Sequence, residues 1–389
     1  MKLLIDKQLE TSITGIGFHP NLKYISLVCE KRNIKIYQLN GLHPSNSLAK
    51  LSKHRNRIVS IDWSLLPTKY SLDSSYSQLV SVGEDRLVIV WLLKVEAEKD
   101  SFSEKLVIVS SILNCIQSDC YPTFCRISPF QEFCSFAVST TSGEVFFFTS
   151  KKNSGLENEK TSFSEAKQRD LYVFDQLKIG LSELPLTCLA WSNSSKFLAC
   201  GGLENKGIIL GVSIEDSNFK DENFDENSSE TLSLQALSSI NSQNAIMACD
   251  FSPKGNQIAF TDKDSFLYFT QISKKLEFLN SSLKWNGLPL INLKFVHENL
   301  LAAVGHDCIP VLFMQTNGCM WTHATTLNGA ILPNYLDPVW QLNFDPIKHY
   351  TQNSVHKRPI MKVLVPNPST LVCYGFDGKY SIWELESHE

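Results

Sequence analysis

One pattern recurs along the chain and restricts its fold more than any other feature. A short apolar strand ends in an aromatic or aliphatic residue and runs into a polar turn. A second apolar strand follows, then a turn of Gly and Asp, then a third strand ending in an aromatic. The clearest copy runs from Ile58-Val59-Ser60-Ile61-Asp62-Trp63 on through Gln78 to Trp91. The plainest runs from Met247 to Phe260 and on to Phe269, with Ser252-Pro253 in its first turn. The first strands end at Phe18, Trp63, Ile127, Trp191, Phe251, Phe295 and Val365, at spacings of 45, 64, 64, 60, 44 and 70 residues. Strands rich in Val, Ile, Phe and Tyr, separated by Gly, Asp, Asn and Pro, are a β pattern.

The two shortest spacings match the roughly 40–45 residues of a WD-repeat propeller blade. The expectation is therefore all-β: a seven-bladed WD-repeat β-propeller with loop insertions, one unit over residues 1–389. Radial packing leaves only short sheet edges, and the first residues, about Leu3 to Leu9, are expected to close the ring as the last strand of the final blade. Blade two carries the residues of a WD-repeat tetrad: His54, Ser81, Asp85 and Trp91, with the Ser ten and the Asp six residues before the Trp. In such a tetrad the Asp orients the His, the His bonds the Ser, and the Ser takes the indole N–H that a buried Trp must satisfy. In another fold His54, Asp85 and a Ser would suggest a hydrolase triad; the spacing favours the structural role. Asp377 and Trp383 repeat the spacing in blade seven, with His356 as the His and Cys373 in the place of the Ser. Asp307 and Phe313 repeat it in blade six.

Seven blades at 44-residue spacing leave 83 surplus residues between Phe18 and Val365. Blade two spreads its turn over Leu65–Ser77. Insertions are expected at 151–170 after blade three, at 215–243 after blade four and at 327–358 between blades six and seven. Long loops on a rigid scaffold are where partners usually bind. Glu215–Glu230 holds seven acids and one Lys, a net −6; it reads as a solvated disordered loop or as an acidic contact for a basic partner. The third insertion is apolar. A helix starting near Asp337, with Pro338 in its first turn, would turn Val339, Leu342 and Phe344 towards one side. Tyr335, Leu336, Val339, Trp340, Leu342 and Phe344 are the partner-binding candidates; the alternative is that they fold back onto the propeller.

Net charge is only −4, from 36 Lys and Arg against 40 Asp and Glu, which argues against a nucleic-acid binder. Lys53-His54-Arg55-Asn56-Arg57 and His356-Lys357-Arg358 precede first strands and could form a modest basic rim. No apolar stretch approaches the ~20 residues of a membrane span, and the charged start of the chain does not read as a leader. The 11 cysteines include no C-x-x-C pair; they read as small buried hydrophobes in a reducing compartment, hence a soluble intracellular chain. Phosphate-loop, dinucleotide, zinc-protease and nucleophile-elbow motifs are all missing. Gly305-His306-Asp307-Cys308 looks like a ligand cluster, but turn chemistry is the better reading. No enzyme activity, metal or cofactor is expected.

The run from Gly287 to Phe313, with Phe295-Val296 before Glu298-Asn299 and Ala302-Ala303 before Gly305-His306-Asp307-Cys308, is more specific than a generic blade. It resembles blade six of the roughly 40-kDa WD-repeat subunit, subunit 1, of the actin-related protein 2/3 complex. Ile61-Asp62-Trp63 with Gly83-x-Asp85-Arg86 is similar to its second blade, and Gly375-x-Asp377-Gly378 to its last. The resemblance implies a non-catalytic scaffold that holds neighbouring subunits and supports actin filament nucleation and branching. It also implies contacts with the actin filament and nucleation-promoting factors, and a cytoplasmic place on the actin cytoskeleton with room for a nuclear pool. Neither nucleic acid nor membrane is an expected partner. In that family the insertion between blades six and seven is a charged contact arm; here, over Leu327–Tyr350, Lys348 is the only Lys or Arg. The alternative is a WD-repeat scaffold repurposed for a different or reduced complex without branching.

Overall fold

The structure, a computed structural model, describes residues 2–8, 13–40, 43–65, 76–97, 104–116, 119–129, 135–151, 173–215, 231–273, 275–316, 320–327 and 354–385. Its strands form seven four-stranded antiparallel sheets. The ring begins with β1 (Lys2–Gln8), which belongs to the last blade. Blade one is β2 (Ile13–Phe18), β3 (Tyr24–Cys29), β4 (Asn33–Asn40) and β5 (His43–Leu51). Blade two is β6 (Ile58–Leu65), β7 (Tyr76–Gly83), β8 (Leu87–Ala97) and β9 (Glu104–Cys115). Blade three is β10 (Pro122–Ile127), β11 (Ser135–Thr140), β12 (Glu144–Lys151) and β13 (Val173–Gly180). Blade four is β14 (Leu186–Trp191), β15 (Phe197–Gly202), β16 (Lys206–Glu215) and β17 (Thr231–Asn241). Blade five is β18 (Ile246–Phe251), β19 (Gln257–Asp262), β20 (Phe266–Ile272) and β21 (Phe278–Lys284). Blade six is β22 (Leu290–His297), β23 (Leu300–Gly305), β24 (Val311–Gln315) and β25 (Trp321–Thr326). Blade seven is β26 (Ile360–Asn367), β27 (Thr370–Gly375) and β28 (Lys379–Glu384), completed by β1. All the residues marked in the sequence as first-strand ends lie in the innermost strands. The fold is the seven-bladed propeller that the repeat predicts.

The core is divided among the seams between blades. Seven hydrophobic clusters occur, each joining two neighbouring blades, and the one between blades seven and one includes Ile16, Ile25, Tyr374 and Ile382. Both faces of each blade are buried against neighbours, so the second strands are buried throughout: all six residues of β3 and of β27 are buried. At the seam of blades five and six, Phe269 stacks on Trp321 with centroids 4.3 Å apart.

The turns between second and third strands share one device. In blades two to five and in blade seven this turn has three residues, and in blade six five; in all six the third takes a positive φ: Arg86, Gly143, Asn205, Ser265, Cys308 and Gly378. A tight three-residue hairpin needs a left-handed residue at that point. These turns share one face of the ring with the connections that enter each first strand; Glu84 N, for example, donates to Arg57 O at 2.8 Å. The other two sets of turns form the second face.

Segments 152–172 and 216–230 correct the expected placement of two insertions. They do not follow blades three and four. Each joins the third strand to the fourth inside a blade, since Lys151 pairs with Val173 and Glu215 with Thr231. The range 215–243 also contains the strand β17. The third insertion does begin after β25 and ends before β26. The strand ends that flank the acidic segment lie on the second face; those that flank the apolar one lie on the first, the face that also carries the exposed Arg55, Arg57, Lys357 and Arg358.

Candidate functional site: histidine latches and the central channel

Blade two brings its four marked residues into one chain of hydrogen bonds. Trp91 Nε1 donates to Ser81 Oγ at 2.8 Å, and Ser81 Oγ meets His54 Nε2 at 2.9 Å. His54 Nδ1 lies 3.0 Å from both oxygens of Asp85. The same carboxylate accepts from Arg55 N at 2.8 Å and Leu87 N at 3.2 Å. One carboxylate thus ties the loop entering β6 to the turn between β7 and β8. Burial pushes the His54 pKa down against the pull of Asp85, so the imidazole is neutral at pH 7. Gly83 makes room for the pair, because a Cβ there would lie 2.7 Å from both His54 Nδ1 and Asp85 Oδ1. Ser81 is fully buried, so no substrate reaches its hydroxyl from solvent and the triad-like trio serves as a latch.

Blade seven builds the same latch with a different donor of the hydroxyl. His356 Nδ1 lies 3.2 Å from Asp377 Oδ1, but His356 Nε2 meets Ser381 Oγ at 2.9 Å, and Trp383 Nε1 donates to that same oxygen at 2.9 Å. Cys373 does not fill the role of the Ser. It pairs across the ladder with Ser381, so the hydroxyl has moved to the facing strand, where side chains of a cross-strand pair lie together. Burial acts to raise the Asp377 pKa. Bonds from His356, Lys357 N and Lys379 N outweigh it and hold the carboxyl below its ordinary value.

In blade six the Asp binds a Trp. Trp285 Nε1 donates to Asp307 Oδ2 at 2.8 Å and Leu288 N to Oδ1 at 2.9 Å. Cys308 Sγ donates to His306 O, and no group of three or more His, Cys, Asp or Glu among the described residues is arranged to hold a metal. Asp307 is 1% exposed, and burial raises its pKa to about 6 although both bonds favour the anion. A raised carboxyl means the folded state holds a proton that the unfolded chain has released. The stabilising contribution is present below pH ~4 and is lost as pH rises through 6. Asp307→Asn should therefore gain on the parent by on the order of 2 kcal/mol between pH 4.5 and pH 7 in urea unfolding; a pH-independent difference would refute the assignment.

The inner strands enclose a central channel with a polar collar that sequence reading did not single out. Each of several strands reaches to the next blade through a side chain. Asp62 accepts from Ile127 N at 2.8 Å, Asp250 from Phe295 N at 2.9 Å, and Asn292 from Val363 N at 3.0 Å. Lys362 Nζ closes the circuit on Ile16 O at 2.6 Å. The available signal was a charged residue immediately before the first-strand end, at Asp62, Arg126, Asp250 and Lys294. Tyr335, Leu336, Val339, Trp340, Leu342 and Phe344 lie outside the described residues. The eight cysteines whose side chains are described are buried free thiols.

The closed ring of seven blades and its Asp-His-Ser-Trp latches define a WD-repeat β-propeller. No family model matches the chain. Comparison with curated proteins gives Xenopus laevis actin-related protein 2/3 complex subunit 1A-B, 23% identical across 97% of this chain and 95% of the relative. Arabidopsis thaliana actin-related protein 2/3 complex subunit 1A is 23% identical across 97% and 95%. Subunit 1 of Schizosaccharomyces pombe is 26% identical across 42% of this chain and 43% of its own. The chain is a divergent relative of subunit 1 of the actin-related protein 2/3 complex.

Proposed function

We propose that the protein is the WD-repeat subunit of an actin-related protein 2/3 complex and works there as a rigid, non-catalytic scaffold. The observation that carries this reading is the relationship to subunit 1 over nearly the whole of both chains. The architecture suits the role. Seven interlocked seams and two latches hold two faces at a fixed separation, and partners on either face are then fixed relative to each other. In this reading other subunits of the complex occupy the propeller faces and actin-related subunits are set in the arrangement of a filament end. Contacts with the actin filament or nucleation-promoting factors are made by segment 327–358 with its Tyr335, Leu336, Val339, Trp340, Leu342 and Phe344. The protein then resides in the cytoplasm on the actin cytoskeleton.

Affinity purification of the tagged full chain from its own cells, followed by mass spectrometry, tests the assignment. Recovery of actin-related proteins with the remaining complex subunits is the expected result, and their absence would overturn it. A second reading, a scaffold kept for a reduced or different complex without branching, is favoured by the low identity and by the aromatic, nearly charge-free composition of 327–350. It predicts a partial subunit set together with unrelated proteins.

A further inference from the structure

The central channel carries more positive charge and more hydrogen-bond donors than the chain satisfies. The inner strands surround a cavity of about 390 Å³ lined by Asp62, Arg126, Asp250, Lys294 and Lys362. The carboxylates are committed: Asp250 pairs with Lys294 at 2.6 Å and holds Phe295 N, while Asp62 holds Ile127 N. Asp62 keeps its charge, so three cations face two carboxylates and the collar sums to +1, with Arg126 and Lys362 the two cations outside any ion pair. Lys362 Nζ has one bond, to Ile16 O, and Arg126 has one, from Nη1 to Cys125 O at 3.0 Å. Neither forms an ion pair among the described residues. An ammonium offers three donors and a guanidinium five, so most of their N–H groups have no protein acceptor among the described residues, although the Arg126 guanidinium also lies 4.3 Å over the Phe124 ring. The cations also oppose one another. Burial first, and then the Arg126 charge, lower the Lys362 pKa to about 7 against the opposing pull of Asp62. Excess positive charge in a confined site is costly unless an anion joins it.

We propose that the central channel binds an oxyanion of the phosphate class, held by Arg126 and Lys362 with Lys294 on its flank. Phosphate supplies several acceptor oxygens that match a guanidinium fork and an ammonium at once. Because Arg126 lies in blade three and Lys362 in blade seven, the anion braces the ring from within. The ligand is either free inorganic phosphate or the phosphate of a small soluble ester.

Isothermal titration of the full chain at pH 7, with sodium phosphate and with glycerol 3-phosphate in chloride-matched buffer, tests this. Saturable binding at one site is expected. Lys362→Met and Arg126→Gln should each weaken it at least tenfold, and Arg57→Gln, on the outer rim, should leave it unchanged. If Lys362→Met does not fold, Arg126→Gln still carries the comparison. Tighter binding of the ester identifies an ester ligand, and equal or weaker binding identifies free phosphate; both outcomes support the site. Absence of saturable binding by the parent protein, or equal affinity in Arg126→Gln and Arg57→Gln, would overturn it.

Discussion

Removing residues 1–8 is expected to open the ring and lower stability by about 3–6 kcal/mol. β1 is the outer strand of blade seven and pairs with β28 at six registered positions, from Lys2 opposite Glu384 to Gln8 opposite Lys379. A backbone hydrogen bond contributes roughly 0.5–1.5 kcal/mol net, and the deletion removes the whole ladder at once. It also leaves β28, which holds Ser381 and Trp383 of the latch, as an unpaired edge, and such edges seek another chain. The truncated protein should show a lower urea midpoint and concentration-dependent light scattering. An unchanged midpoint would mean that the ring closes without β1.

Asp85→Ala should cost about 3 kcal/mol. The loss is one of hydrogen bonds rather than of an ion pair, because His54 is neutral at pH 7. Removing the carboxylate strands the buried His54 Nδ1 together with the N–H groups of Arg55 and Leu87, and a buried unsatisfied donor costs ~1–3 kcal/mol. The two backbone donors sit near the surface and recover water, so the imidazole dominates the sum. Glu84→Ala, one residue away on an exposed side chain, should change stability by less than about 0.5 kcal/mol. Equilibrium unfolding of both variants decides the matter: equal effects would show that the latch carries no stability.

Much of this was visible in the repeat. A buried strand that ends in an aromatic, followed by a tight Gly-Asp turn, has to recur if each blade presents the same wedge to its neighbours, and the markers at Trp63, Phe251 and Phe295 follow from that. The latch of blade two was legible because its four residues keep fixed offsets. That of blade seven was half legible: offsets along the chain locate Asp377 and Trp383, but Cys373 and Ser381 are equivalent only across the ladder. The outer strands were the least visible. β13 exposes Gln176, Leu177 and Lys178 and lacks a repeated marker, so the insertions inside blades three and four read as if they followed those blades.

By itself the sequence determined the number of blades, the tight turns and the wedge-shaped seams, because burial and turn geometry act over short stretches and leave a periodic trace. Tertiary structure alone decided what converges at the centre. Asp62, Arg126, Asp250, Lys294 and Lys362 come from five different blades, and no local spacing relates them. They become one charged collar only because closing the ring brings every first strand to the same axis, where charges far apart in the chain share a single confined space.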